Sequence, residues 1–145
     1  MLRKFEIPSF LKDTQTQSSY EKWLYRKAAG HLKRDRNRGN AVATGSSYRE
    51  AIHAAVVNSK GHDFYTGEKL DWSLLSQYNN DESKRHRRAY KKRFELLPSV
   101  DHVGDGLGVA NFRICGWRTN DCKNDLTHRE LVSFCKLILA HEGDA

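Results

Sequence analysis

The sequence contains no run of apolar residues approaching the roughly eighteen that a transmembrane helix requires, so no span is expected. Its first residues, Met1-Leu2-Arg3-Lys4-Phe5-Glu6, lack the apolar stretch of a secretory leader, and the expected location is the cytoplasm. Cysteine is scarce and odd in number. Cys115, Cys122 and Cys135 make no paired framework and read as free thiols of a reducing compartment. Only two of 145 residues are proline, beside six Phe, six Tyr and three Trp, a balance that excludes a wholly disordered chain. A chain of this length makes about one domain and buries roughly two-thirds of its unfolded surface, enough for a core without metal or disulfide.

What the chain has in excess is positive charge, and the charge has a location. Twenty-five Lys and Arg face 18 acids, for a net +7. The window 84–93 alone carries +7, from Lys84, Arg85, Arg87, Arg88, Lys91, Lys92 and Arg93 with no acid. The window 22–38 carries +6, with Asp35 as its one acid, so the remainder of the chain sums to −6. Two basic strips on a mildly acidic body suit a polyanionic partner better than uniform solubilisation does. Each strip alone also has a plainer explanation as a solvated helix face.

Residues 1–18 are expected to be a poorly structured arm, since they carry Pro8 and the polar run Asp13 to Ser19 begins there. A helical basic part follows over 19–61. Tyr20, Trp23, Leu24, Ala28 and Leu32 recur at helical spacing behind Ser18 or Ser19 as N-cap. Ser47-Tyr48-Arg49-Glu50 reads as a capping box for a second helix buried through Tyr48, Ile52, Ala55 and Val56. Asp71 is placed to cap a short helix carrying Trp72, Leu74 and Leu75. Pro98 divides residues 94–103 into two short extended pieces. Gly104, Gly106 and Gly108 make a loop, and 111–115 alternates as a returning antiparallel strand. A helix is expected to begin near Thr119 or Asn120. The last helix, over 127–141, opens with the capping box Thr127-His128-Arg129-Glu130 and is expected to bury Leu131, Phe134, Leu137 and Ile138.

The stretch that carries chemistry runs from Val100 to Asn124. It reads Asp101-His102, eight residues, Asn111, eight residues, Asn120, two residues, Lys123-Asn124. A carboxylate and an imidazole end one short strand, a glycine turn and a second strand follow, and two side-chain amides open a helix. Asn120 and Asn124 are four apart, on one helix face.

This pattern resembles the HNH endonuclease superfamily, the ββα-metal nucleases. The resemblance covers residues 62–126, and its motif about 25 of them. Asp101-His102, Asn111, Asn120 and Lys123 occupy the family's places in order. It implies a single α+β domain over 1–145, mainly helical around a small ββα-metal core of two antiparallel strands and a helix. It implies a divalent-metal-dependent endonuclease that hydrolyses phosphodiester bonds in DNA, with RNA left open, acting as a monomer or homodimer. By the resemblance Asp101 and Asn120 hold Mg²⁺ or Mn²⁺ through oxygen, the donor such cations take. His102 is the general base, Asn111 orients it, and Lys123 and Asn124 support the site through phosphate or water. Lys84, Arg85, Arg87, Arg88, Lys91, Lys92 and Arg93 bind the nucleic acid; stacking of Tyr78 or Tyr90 on bases is the minor reading of those two side chains.

The chain departs from the family at the Cys-x-x-Cys pairs that hold a structural zinc in many members. Phe64-Tyr65-Thr66-Gly67-Glu68 occupies the first place, and near Cys115 the partner position is Arg118 or Thr119, so no structural zinc is expected. That departure, with Asn at the last motif position, motivates the competing reading of an inactive nucleic-acid-binding module on the same fold. His31, His53, His62, His86, His128 and His141 are expected as surface or cap residues, Cys122 in helix packing, and Trp72 and Trp117 in the core.

Overall fold

A computed structural model describes residues 4–77 and 80–143, together with the backbone but not the side chain of Asn80. Tyr78, one of the two aromatics with a stacking reading, lies outside the described residues. The chain is a mainly helical α+β fold with one two-stranded antiparallel sheet. Its elements are α1 (Gln17–Asn37), α2 (Gly45–Ser59), α3 (Asn80–Arg93), β1 (Pro98–His102), β2 (Phe112–Gly116), α4 (Trp117–Lys123) and α5 (His128–Glu142). Short 3₁₀ turns at Ser9–Leu11 and Trp72–Ser76 complete them. No helix among the described residues is long and apolar enough to cross a membrane.

Both N-terminal helices start on a threonine capping box, Thr16 with Ser19 and Thr44 with Ser47, each two or three residues ahead of the expected serine caps. In each case the serine takes the reciprocal place at the third helical position instead of the cap itself. Tyr20, Trp23, Leu24 and Ala28 of α1 pack on Tyr48, Ile52 and Val56 of α2, and Val100, Phe112 and Ile114 of the hairpin close the same core. Asp71 caps the second 3₁₀ turn as its sequence suggests, its carboxylate accepting from Ser73 N.

Residues 4–18 are not a loose arm. Phe5, Ile7 and Leu11 are buried in the core, and the Gln17 side chain accepts from Ile7 N and donates to Phe5 O, both at 2.8 Å. Gln15 donates to Trp72 O at 2.8 Å. The polar run that reads as solvent-loving is used to tie this segment down. Residues 94–97 form a turn at the end of α3, not an extended piece, because Phe94 and Tyr90 are buried in a small cluster with Leu74. Tyr90 is therefore core, not a stacking platform. Trp72 is buried, and Trp117 packs on that second cluster.

α5 differs most from expectation. It has the Thr127 capping box but buries no residue, and Phe134, Leu137 and Ile138 are 55%, 69% and 48% exposed. Its spacing marks an apolar face, and no α5 side chain joins the core formed by α1, α2 and the hairpin.

Candidate active site and basic cleft

The hairpin sets the site. Val100 pairs with Ile114 and His102 with Phe112, so alternate β1 side chains go to opposite faces. Val100 and His102 face α1 and α2. Ser99 and Asp101 face α4, where Asn120 donates from Nδ2 to Ser99 Oγ at 3.1 Å. Asp101 is buried, and its Oδ2 takes the Tyr65 hydroxyl and, at 3.2 Å, the buried ammonium of Lys123. Burial, then the hydrogen bond to Asp101, drives the Tyr65 phenol well above its ordinary range, so it acts as a donor.

His102 stands on the other face. Its Nδ1 lies 2.7 Å from Oδ2 of Asp35, a carboxylate 1% exposed on α1. The contact is bent, and Nδ1 has no partner in straight hydrogen-bond geometry among the described residues. The same Asp35 oxygen accepts the Tyr48 hydroxyl at 2.5 Å, and Arg38 approaches Oδ1 at 3.4 Å. Burial first, then the bond to Asp35 and its charge, push the Tyr48 phenol up to about 12. His31 packs beside His102 with ring centroids 6.1 Å apart, and its Nε2 meets Val100 O at 3.1 Å. Burial, then the charges of Arg34 and His102, lower the His31 imidazole to about 4, against the smaller pulls of Val100 O and Asp35. His31 is therefore a buried neutral neighbour, not a surface residue, and His53 is also engaged, with Nδ1 2.6 Å from the Tyr20 hydroxyl.

Asp101, His102, Asn120, Lys123 and Asn124 line one open cleft of about 1280 Å³. Its other walls carry Arg26, Lys27, Arg34 and Arg38 from α1, Arg113 from β2 and Arg129 from α5. Burial, then Arg26 and Arg34, lower the Lys27 ammonium from its ordinary value, the mark of cations crowded on one helix face.

The remaining motif residues fall differently. Asn111 is exposed, and its backbone carbonyl accepts from Val103 N at 2.9 Å. Among the described residues no contact joins its side chain to the His102 ring, whose position is held by Asp35 instead. Asn124 is the C-cap of α4 with φ 50°, so it leaves the helix and does not share the face of Asn120. Lys123 is spent on Asp101. Of the strip on α3, Lys84, Arg85, Arg87, Arg88, Lys91, Lys92 and Arg93 are exposed and none lines the cleft. α3 flanks it: Lys91 pairs at 3.0 Å with Asp121 on the cleft wall, and the helix breaks at Arg87, whose φ is 36°. Cys122 is exposed and takes no part in helix packing.

Residues 63–68 and 115–119, the two places at which a cysteine pair would be expected from the resemblance, are joined by a buried carboxylate. Asp63 Oδ1 accepts from Tyr65 N at 2.7 Å and Thr66 N at 3.1 Å, and Oδ2 accepts from Gly116 N and Thr119 Oγ1, both at 2.8 Å. An Arg118–Glu68 ion pair ties the same two segments at the surface.

The cation implied by the resemblance would have two side-chain oxygens on this face of the hairpin to draw on, those of Asp101 and the Asn120 amide. Tyr65 and Lys123 both meet Oδ2 of Asp101, so a cation would have to use Oδ1. Among the described residues no three His, Cys, Asp or Glu side chains converge, so water and phosphate would supply the other positions. Neither Asp35 nor Asp63 is marked by a motif in the sequence. The one signal for Asp35 is that it is the lone acid in the +6 window. Comparison with family models, with curated proteins and with solved structures gives no match.

Proposed function

We propose that the chain is a divalent-metal-dependent endonuclease of the HNH type that hydrolyses phosphodiester bonds in DNA. The observation that carries this reading is His102, backed by a carboxylate at 2.7 Å and lining a cleft whose walls bear six Arg and Lys side chains besides Lys123. A base beside a row of cations matches what phosphodiester hydrolysis needs, a group to take the proton of the attacking water and charges to seat phosphate.

In this reading Arg26, Lys27, Arg34 and Arg38 seat the phosphates. The strip on α3, from Lys84 to Arg93, extends the track beyond Asp121. His102 accepts the proton of a water aimed at phosphorus, and the ester oxygen leaves on the opposite side. Asp101 and Asn120 would hold Mg²⁺ or Mn²⁺, which would supply stabilisation of charge on the scissile phosphate and leaving oxygen. Lys123 and Tyr65 hold Oδ2 of Asp101 and so fix the carboxylate, whose Oδ1 would be the oxygen offered to a cation. The setting is the cytoplasm, and one site per chain nicks one strand.

Plasmid nicking in Mg²⁺ or Mn²⁺ tests the proposal. Wild type converts supercoiled DNA to open circles, and His102→Ala loses about 10²- to 10⁴-fold in turnover while still binding DNA. A wild-type protein that binds DNA without nicking it makes the chain an inactive binding module, the reading favoured by the Lys123–Asp101 pair. Cleavage of RNA alone would replace the substrate.

A further inference from the structure

We infer that Asp35 is the positioning residue that sets the proton of His102 on Nδ1 and so leaves Nε2 as the nitrogen that meets the cleft. The role in catalysis rests on the endonuclease reading, while the tautomer itself rests on geometry alone. Asp35 lies 67 positions before His102, on α1, in a part of the chain that the ββα motif does not include.

A carboxylate 1% exposed is costly unless charges and donors surround it. Asp35 has three neighbours for the purpose: Tyr48 Oη at 2.5 Å, His102 Nδ1 at 2.7 Å and Arg38 Nη1 at 3.4 Å. Arg38 is the most distant of them and its side chain is 59% exposed. A bare imidazole nitrogen presents a lone pair. A bare Nδ1 would set its lone pair beside that oxygen at 2.7 Å, where the two repel, so N–H at Nδ1 is the tautomer that suits the carboxylate even though the contact is bent. Tyr48 cannot exchange roles with it, because the phenol stays protonated and its hydroxyl is already directed at the same oxygen.

The fold holds Asp35 against His102 from behind. Gly106 sits at φ 82°, and a Cβ there would lie 2.5 Å from Asp35 Oδ1, so the glycine turn closes over the carboxylate. Asn40 anchors that turn by donating to Gly106 O at 2.9 Å. Phe112, with its ring centroid 4.5 Å from that of His102, limits the ring on another side. His31 supplies an internal contrast. Its Nε2 faces the Val100 carbonyl, which demands N–H at Nε2, so the two adjacent imidazoles carry their protons on opposite nitrogens.

The test is nitrogen-15 NMR of histidine-labelled, metal-free protein at alkaline pH, with His102→Gln and His31→Gln used to assign the signals. His102 is expected to show Nδ1 protonated and Nε2 bare, and His31 the reverse. Finding Nε2 of His102 protonated overturns the inference, whatever the protein does to DNA. Activity gives a second arm. Asp35→Asn keeps the shape but removes the charge, so nicking turnover is expected to fall by about 10² or more with DNA affinity within about threefold, as when a triad carboxylate becomes an amide. Tyr48→Phe leaves Asp35 to His102 and is expected to stay within about tenfold of wild type. If Tyr48→Phe abolishes nicking as completely as Asp35→Asn, the cluster is packing and the inference falls. If the wild type does not nick DNA while His102 carries its proton on Nδ1, the endonuclease reading fails and the tautomer assignment stands.

Discussion

Asp63 ties two distant segments together with one side chain. Four donors converge on it from two segments, the farther pair 53 and 56 positions away, and it is 2% exposed. Removing the carboxylate leaves buried donors unsatisfied, at a cost of about 1–3 kcal/mol for each that finds no new partner. Asp63→Ala is expected to lower the free energy of unfolding by an amount of that order, seen as a lower denaturant midpoint, and added zinc is expected to restore nothing. A midpoint close to wild type would mean that Arg118–Glu68 and local packing hold the segments unaided. Sequence offers no cue to Asp63, because an aspartate before two aromatics has no spacing that marks it. Asp101-His102 and Asn120 stand out because the chain spaces them as a motif, whereas Asp35 and Asp63 act through partners far along it.

Among the elements, α2 and α5 have equally clear capping boxes and apolar faces, yet only one is buried. Ile52 on α2 is 0% exposed, so Ile52→Ala removes a packed side chain and is expected to cost about 2–5 kcal/mol. Leu137 on α5 is 69% exposed, and Leu137→Ser is expected to change stability by no more than about 0.5 kcal/mol. Chemical denaturation of both variants checks the pair, and a Leu137→Ser loss matching that of Ile52→Ala would mean that α5 is covered in solution. Periodicity reports that a helix has an apolar face and is silent on what lies against it. The same gap explains the first eighteen residues, where Pro8 and a polar run suggest an arm while Phe5, Ile7 and Leu11 reach the core.

For the molecule as a whole, the two basic strips occupy different places. That on α1 lines the cleft, and that on α3 stands outside it. On duplex DNA, removing one cation that neutralises a phosphate reduces the slope of log affinity against log salt by roughly 0.9. Arg26→Gln with Arg34→Gln is therefore expected to lower the slope by about 2 and to slow nicking even at saturating DNA. Arg85→Gln with Arg88→Gln is expected to weaken binding and leave turnover at saturation unchanged. Titrations at several salt concentrations, paired with nicking rates, separate the two, and an unchanged slope in the α1 pair would remove that helix from the interface.

Local order along the chain was enough to determine the helical class, the hairpin returning through a glycine turn, the Thr127 and Asp71 caps, and the grouping of Asp101, His102 and Asn120. These depend on side-chain period, backbone permissiveness and short spacings, which are properties of neighbouring residues. Tertiary structure alone decided that Asp35 backs His102, that Asn111 does not, that Asp63 joins the segments flanking the hairpin, and that α1 rather than α3 walls the cleft. Each of those outcomes depends on which buried charge meets which donor across tens of residues. That is settled by packing the core to density and satisfying its polar groups together.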